Sequence, residues 1–301
     1  MLERTLSTLA GQQLGGISME VIVVDNGTPD GELEGVRSLG EAAPFEFTLL
    51  AEPRSGASAA RNTGVGAARG PIVLFLGDDT RPADSGLVAA HARALSELEG
   101  RWVVMGVCAW APEIEVTPVM EWLERSRKSH DYEIFTPGQG ELLNLYANNL
   151  SLPRDALLEV GGFDERFPQY GWEDYDLALR LADRGYGLRF IPDLVVHHDH
   201  ISGLAESLRR MRSVGRTARL FNDLHAQRPG LGSPRPTGAK GLLARALEPG
   251  LSRLPVPRWL PRAVSDQAFR AQHYAALARG YAQEPIPADG SLRGGIAQTA
   301  R

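Results

Sequence analysis

Cysteine is almost absent from this sequence: Cys108 is the only one among 301 residues. An intrachain disulfide is therefore excluded, as is a zinc site built on paired cysteines, and a reducing compartment fits best. No apolar run is long enough to span a bilayer, and the N-terminus lacks the apolar stretch of a signal peptide. The expectation is a cytoplasmic protein. The ATPase phosphate-loop pattern is missing, and so is any internal repeat. Beyond these absences the composition is that of a globular chain, 43% hydrophobic and 23% charged.

The net charge of −5 conceals a division. Residues 1–200 carry 16 Lys and Arg against 31 Asp and Glu, whereas residues 201–301 carry 16 against 6. The basic tail is either a solvated arginine-rich surface or a contact for something anionic, such as a phospholipid surface or a phosphorylated substrate. Nucleic acid is not expected, because the tail has no recognition motif and few aromatics on which bases would stack. Nothing in the sequence sets an oligomeric state.

Strand and helix patterns alternate through the first half. Leu2, Leu6 and Leu9 have helical spacing, and the β-branched run 20–25 stops at Asn26-Gly27-Thr28-Pro29. A second strand is predicted at 45–50, an alanine-rich helix at 57–69 and a fully apolar strand at 72–76. This alternation predicts an α/β fold, a mostly parallel sheet flanked by helices. Further on, 102–110 reads as a buried strand and 118–128 as a helix. The stretch 129–144, with Pro137-Gly138-Gln139-Gly140, reads as a lid or a surface excursion. A helix at 173–184 precedes short strands at 189–191 and 194–196. Residues 203–222 form an amphipathic helix with a basic face of Arg209, Arg210, Arg212, Arg216 and Arg219. Proline, glycine and arginine dominate 228–261, which reads as a linker or loosely packed arm with a helical insert at 242–247, before a last helix at 265–283.

Acidic residues follow the buried strands. Asp25 and the pair Asp78-Asp79 each stand at a strand's carboxyl end, the rim where ligands bind in open α/β sheets. Adjacent carboxylates repel unless a cation or hydrogen-bond donors compensate, and a hard divalent ion, Mg2+ or Mn2+, does so naturally. Asp25 equally suits a turn, as does Gly77-Asp78-Asp79-Thr80. Glu173-Asp174 opens a helix, where the macrodipole favours acids, and either carboxylate could also take a proton from a hydroxyl nucleophile. Phe163, Phe167, Tyr170 and Trp172 supply an apolar wall beside it. In His197-His198-Asp199-His200, strand alternation puts His198 and His200 on one face, so either could complete a metal site begun by Asp79. The segment Arg54 to Asn62 offers a helix N-terminus to an anion, with Arg61 adding charge.

In order, the segments Val21 to Gly27, Gly56 to Asn62, Ile72 to Asp79, Asn148 to Ser151, Gly161 to Phe167 and Trp172 to Asp174 resemble a family 2 glycosyltransferase of the GT-A type. The resemblance covers roughly residues 1–220. It implies inverting transfer from a nucleotide-diphosphate sugar to a hydroxyl of a glycan or lipid-linked acceptor. It implies that Asp25 contacts the nucleotide base with Arg61 nearby, that Asp78 faces the ribose or metal, and that Asp79 holds the metal. Asp174 would be the base, Glu173 would help position the acceptor, and His198 or His200 would be a late metal or phosphate contact. Residues 1–222 would then be the GT-A-like domain and 223–301 a linker and helical extension. Such a protein could sit peripherally on the inner face of an anionic membrane.

Two departures bear on these expectations. Gly77 occupies the first position of the family's aspartate-x-aspartate motif, leaving the metal-facing carboxylate in place. The family's first strand, which ends in a Pro-x-Tyr-Asn-like turn, has no counterpart, because Met1 falls within the helix that should follow it. A rival expectation is therefore a glycosyltransferase-like binding protein without donor binding or catalysis. A metal-dependent hydrolase built on the histidines ranks last, since it needs more convergent ligands.

Overall fold

The computed structural model of the chain describes residues 1–29, 31–126, 141–228, 235–283 and 286. Most of the stretch 129–144, including Pro137-Gly138-Gln139-Gly140, lies outside the described residues. Two compact units are present, one of residues 1–163 with 174–202 and one of residues 164–173 with 203–301.

The first unit opens with α1 (Leu2–Ala10), which buries Leu6 and Leu9. Strand β1 (Glu20–Asp25) and strand β2 (Glu46–Ala51) pair in parallel, Glu20 opposite Glu46 through Asp25 opposite Ala51. Between them runs α2 (Glu34–Glu41), the crossover that parallel neighbours require. Then follow α3 (Ala57–Ala67), β3 (Ile72–Leu76), β4 (Thr80–Pro82), α4 (Leu87–Ser96) and β5 (Trp102–Trp110). After α5 (Pro118–Arg125) come a 3-10 turn at Leu142–Asn144, β6 (Asn149–Pro153), α6 (Arg154–Val160), α7 (Glu173–Asp183) and β7 (Gly187–His198).

The α/β class is as expected, but the sheet is mixed rather than mostly parallel. Strands β3, β6, β5, β7 and β4 form a five-stranded sheet in that order, and only β5 with β7 is parallel. The physical reason is the connections. A short turn rather than a helical crossover joins β3 to β4, and β6 enters the sheet from the opposite end to β3 and β5. The two short strands expected at 189–191 and 194–196 are one strand, β7, whose pairing with β5 is interrupted between Met105 and Val107.

Alternation along β5 builds both faces of the core. Val103 and Met105 point into a cluster with Leu150, Leu152, Phe163, Leu177 and Leu181, covered by α6 and α7. Val104 and Cys108 point the other way, onto Leu87 of α4 with Leu194 and Val196. Burial of Cys108 pushes its thiol up to about 12, so it is an inert core residue.

The second unit is built on α8 (Leu204–Leu224), α9 (Gly238–Leu251) and α10 (Arg262–Tyr281). Helices α8 and α10 cross closely: a Cβ on Gly215 would stand 2.2 Å from the Leu277 carbonyl oxygen, and one on Gly280 1.9 Å from that of Arg212. The expected basic face of α8 is broken up. Arg209 and Arg210 are exposed, whereas the Arg212 Nε donates to the buried Glu248 at 2.9 Å and the Arg216 Nε is enclosed. The expected loose arm at 228–261 is also corrected, because α9 extends over 14 residues and Glu248 fixes it to α8 through Arg212 and to α10 through Arg279. The expected boundary at 222/223 falls inside α8.

Candidate active site

Strand register places Asp78-Asp79, and a hydrogen bond from Ala147 places Asp174, at one end of the five-stranded sheet. Leu76, the last residue of β3, pairs with Asn149, the first of β6. Gly77-Asp78-Asp79 therefore leave the sheet beside Ala147 and Asn148. The Ala147 amide donates to Asp174 Oδ2 at 3.0 Å. His198 ends β7 at the same edge, opposite Thr80 and beside Trp110.

Asp79 and His198 meet directly, Oδ2 to Nε2 at 2.9 Å across 119 residues of sequence. The His198 ring is buried, lies 5.2 Å from the Trp110 ring, and leaves Nδ1 enclosed without a hydrogen-bond partner. Backbone and side-chain contacts fix this pair. The Asp199 amide donates to the Asp79 carbonyl at 2.8 Å, and the buried Asp199 carboxylate takes Arg81 at 3.1 Å and Arg4 at 3.3 Å. Thr80, fully buried, closes the turn by donating its hydroxyl to the Gly77 carbonyl at 2.9 Å. Gly77 is constrained by this turn, for a Cβ there would lie 2.8 Å from Asp79 Oδ1. Asp78 keeps solvent contact, yet the protein walling its carboxyl and, second, the charge of Asp79 push it above the usual carboxylate range.

These donors fit a hard divalent cation in a limited sense. One carboxylate and one imidazole converge, and His200 stands apart with its ring 6.0 Å from that of His198. Among the described residues no group of three His, Cys, Asp or Glu gathers. A two-donor set of this kind suits an ion that takes its remaining ligands from phosphates and water.

Asp174 is the second centre. Its Oδ1 accepts from Arg61 Nη1 at 3.2 Å, and the guanidinium also lies over the Phe163 ring at 4.9 Å. The structure thus joins two residues that the sequence placed in separate roles. Asn62, next to Arg61, brackets the Phe163 backbone, accepting from its amide at 2.8 Å and donating to its carbonyl at 2.9 Å. Arg180 then holds the Val160 and Gly162 carbonyls at 2.7 and 2.6 Å. Neither clamp stood out in the sequence, though Asn62 and Gly162 both lie in segments already singled out.

Glu173 is buried and its Oε2 accepts from the Gly171 amide at 2.7 Å, so one carboxylate oxygen secures the turn ahead of α7. That turn is strained: Trp172 has φ 71, unusual for a bulky residue, and follows Gly171 at φ 118. Within the second unit, Trp172 Nε1 donates to the Val214 carbonyl at 3.1 Å and its ring stands 5.0 Å from Phe221, contacts that oppose the strain.

Asp25 carries a structural duty. Its Oδ1 accepts from the Thr28 amide at 2.9 Å, and Thr28, through hydroxyl and amide, holds the carboxyl below the usual range. Asn26 ties the end of β1 to the loop after β2, donating to the Glu52 and Arg54 carbonyls at 2.7 and 2.6 Å and accepting from the Gly56 amide at 2.9 Å. Sequence reasoning missed Glu52 altogether. Its carboxylate accepts from Arg54 Nη2 at 2.7 Å and Thr63 Oγ1 at 2.5 Å, which lower it to about 2. The available signal was its place after β2, a third acidic strand end.

Two family descriptions match the chain, Glycosyl transferase family 2 over residues 1–138 and Glycosyl transferase family group 2 over residues 72–233. The second covers more than half of the chain, which belongs to the family 2 glycosyltransferases. The chain is similar to the uncharacterized glycosyltransferase YfnE of Bacillus subtilis, 30% identical over 230 residues that cover 61% of this chain and 58% of that protein. It is also similar to the validoxylamine A glucosyltransferase of Streptomyces hygroscopicus subsp. limoneus, 28% identical over 217 residues that cover 62% and 46%. The chain spans about half the length of these curated relatives. Among solved structures, the mannosyltransferase PcManGT from Pyrobaculum calidifontis, in complex with GDP-Man and Mn2+, superposes with a TM-score of 0.58. It is 21% identical, with 92% of this chain and 81% of that one covered, a likeness of fold.

Proposed function

We propose that this chain catalyses inverting transfer of a sugar from a nucleotide-diphosphate sugar to a hydroxyl of a glycan or lipid-linked acceptor. The observation that carries the reading is the convergence at one sheet end of Asp79 with His198 and of Asp174 with Arg61 and Ala147. The donor's base is assigned to the end of β1 at Asp25, and Asp78 to the ribose or metal side. Asp79 and His198 would hold Mg2+ or Mn2+, with His200 as a late phosphate contact. When bound, the ion supplies positive charge against the leaving diphosphate.

Asp174 takes the proton of the acceptor hydroxyl as that oxygen bonds to the anomeric carbon. The bond from that carbon to the diphosphate breaks, and the nucleoside diphosphate carries away the electron pair with inversion of configuration. Two donors already orient the Asp174 carboxylate, and each oxygen keeps a further lone pair for the incoming proton. Glu173, next to Asp174 in the chain, helps to position the acceptor. A division into a catalytic part and a C-terminal helical extension goes with this reading, with α8 kept whole in the extension. So does peripheral contact with an anionic membrane, supported by the excess of basic residues after residue 200.

A non-catalytic binding protein would have no need of oriented acidic residues, and the reading is not favoured. The test is a panel of nucleotide-diphosphate sugars with Mn2+, scored by release of nucleoside diphosphate from wild type and Asp174→Asn. Turnover with at least one donor that the variant loses is the expected result. Binding of no donor in the presence of metal would sink the enzyme reading.

A further inference from the structure

We propose that the outward side of α9 and the segment after it form a docking surface for anionic lipid. The proposal rests on the peripheral membrane contact put forward above and assigns it to residues. At about 100° per residue, Ala239, Leu242, Leu243, Ala246, Leu247 and Gly250 fall within one sector roughly 140° wide. All six are exposed, Leu243 at 61%, and none is polar. A surface helix ordinarily turns such a face toward the core, so α9 is inverted.

The inversion is fixed by the opposite side of the helix. Gly241 is buried, and a Cβ there would stand 2.0 Å from the Pro236 carbonyl oxygen. Glu248 is buried too, held by Arg212 of α8 and, at 3.5 Å, by Arg279 of α10. Rolling α9 to hide its leucines would break both ion pairs and leave a buried carboxylate unpaired. Beyond the helix, Leu254, Val264 and Trp259 are exposed as well, the last at 80%.

Charge identifies the occupant. Residues 235–264 hold six basic residues and one acidic one, and that one is Glu248, paired inside. Lys240, Arg245, Arg253 and Arg262 are all exposed, on α9 or within the residues that follow it. A second copy of the chain would set this positive charge against its like. An anionic bilayer supplies an apolar layer for the leucines and the tryptophan, and phosphates for the basic side chains that reach past them. Among the described residues no helix is long and apolar enough to cross a membrane, so the surface would lie on the bilayer plane.

The full chain is sedimented with vesicles of phosphatidylcholine alone or with one-third phosphatidylglycerol, at low and high salt and without nucleotide sugar. Binding is expected on the anionic vesicles and weakens with salt. The triple variant Leu242→Ser, Leu243→Ser, Leu247→Ser loses it by about tenfold or more. Arg245→Gln and Arg253→Gln each weaken it roughly fivefold. Thermal unfolding of the variants should match wild type, because these side chains face outward. If wild type binds anionic vesicles and the triple leucine variant binds equally, this surface is wrong and the peripheral contact stands. Wild type that ignores anionic vesicles overturns both. A wild-type dimer that Leu243→Glu turns into monomer, with no vesicle binding, overturns lipid in favour of self-association.

Discussion

Asp174 and Arg61 stand 113 residues apart in sequence and share a hydrogen bond of 3.2 Å, Oδ1 accepting from Nη1. Their side chains are each about one-quarter exposed, 24% and 25%, so the pair is oriented by protein yet open to a substrate. With the Ala147 amide on the other oxygen, the carboxylate has one defined orientation relative to the sheet end. The residue proposed as base is thus preorganised by an element, α3, whose start the sequence had offered to an anion.

Replacing Asp174 by Asn keeps the shape and removes the proton acceptor. Turnover should fall by about a thousandfold, the scale of lost general-base catalysis, while donor affinity stays within a few-fold. Arg61→Ala should lower turnover less and alter acceptor KM, since the carboxylate survives but loses its orientation. Steady-state kinetics with calorimetric donor titration separates these effects. An Asp174→Asn enzyme that keeps a tenth of wild-type turnover would remove Asp174 from the role of base.

Asp79→Asn and His198→Ala should each weaken Mn2+-dependent donor binding by about ten- to a hundredfold. Chelation of the metal should bring wild type down to the level of the variants. Asp78→Asn is expected to have the smaller effect, as His198 turns to Asp79. Titration of the nucleotide sugar with and without Mn2+ measures all three. Equal donor affinity in wild type and Asp79→Asn, with Mn2+ present in both, would disprove the assignment.

His91 makes a pH-dependent contribution to stability rather than to this chemistry. It is buried between Asn149 Oδ1, 2.9 Å from Nε2, and Ser151 Oγ, 2.8 Å from Nδ1, and burial lowers it to about 4. The unfolded chain takes up a proton near pH 6.5 that the folded one refuses until about pH 4. Stability from this residue is therefore complete above about pH 6.5 and falls as the pH drops toward about 4, by roughly 3 kcal/mol in all. Urea unfolding at several pH values should show wild type losing this increment relative to its own value at neutral pH, and His91→Gln lacking it. Parallel pH slopes for the two proteins would rule the mechanism out.

Strands β1, β3 and β5 were legible because their apolar runs are continuous, and α7 because its apolar spacing and terminal glycine agree. Asp25, Asp79 and Asp174 were legible as candidates because acidic residues follow or abut those elements. Pairing direction was not, since β4 and β6 are short and their partners are distant in sequence. Glu52 and Arg180 were missed, and Asn62 and Asp199 were named only as members of their motifs, for a related reason. Each works through a contact with a remote or backbone partner, which leaves no periodicity behind. Segment 148–151 matched the family pattern, yet only the structure shows Asn149 as an internal brace, its amide donating to the Val107 and Leu194 carbonyls at 3.0 and 2.8 Å.

That brace yields a sharp packing prediction. Gly106 sits where β5 breaks register between Met105 and Val107, and a Cβ there would lie 2.1 Å from the Leu194 carbonyl oxygen and 2.4 Å from Asn149 Nδ2. Neither neighbour can retreat, because one is the backbone of β7 and the other holds two carbonyls and His91. Gly106→Ala should cost about 3 kcal/mol, at the upper end of overpacking. Gly66→Ala is the control: it lies in α3 with nothing within 4 Å of the added methyl, and should be stabilising by about 0.5–1 kcal/mol. Denaturant unfolding of both variants measures the difference. Tolerance of alanine at 106 would mean that β5 and β7 can separate there, and with them the frame that carries Asp79 to His198.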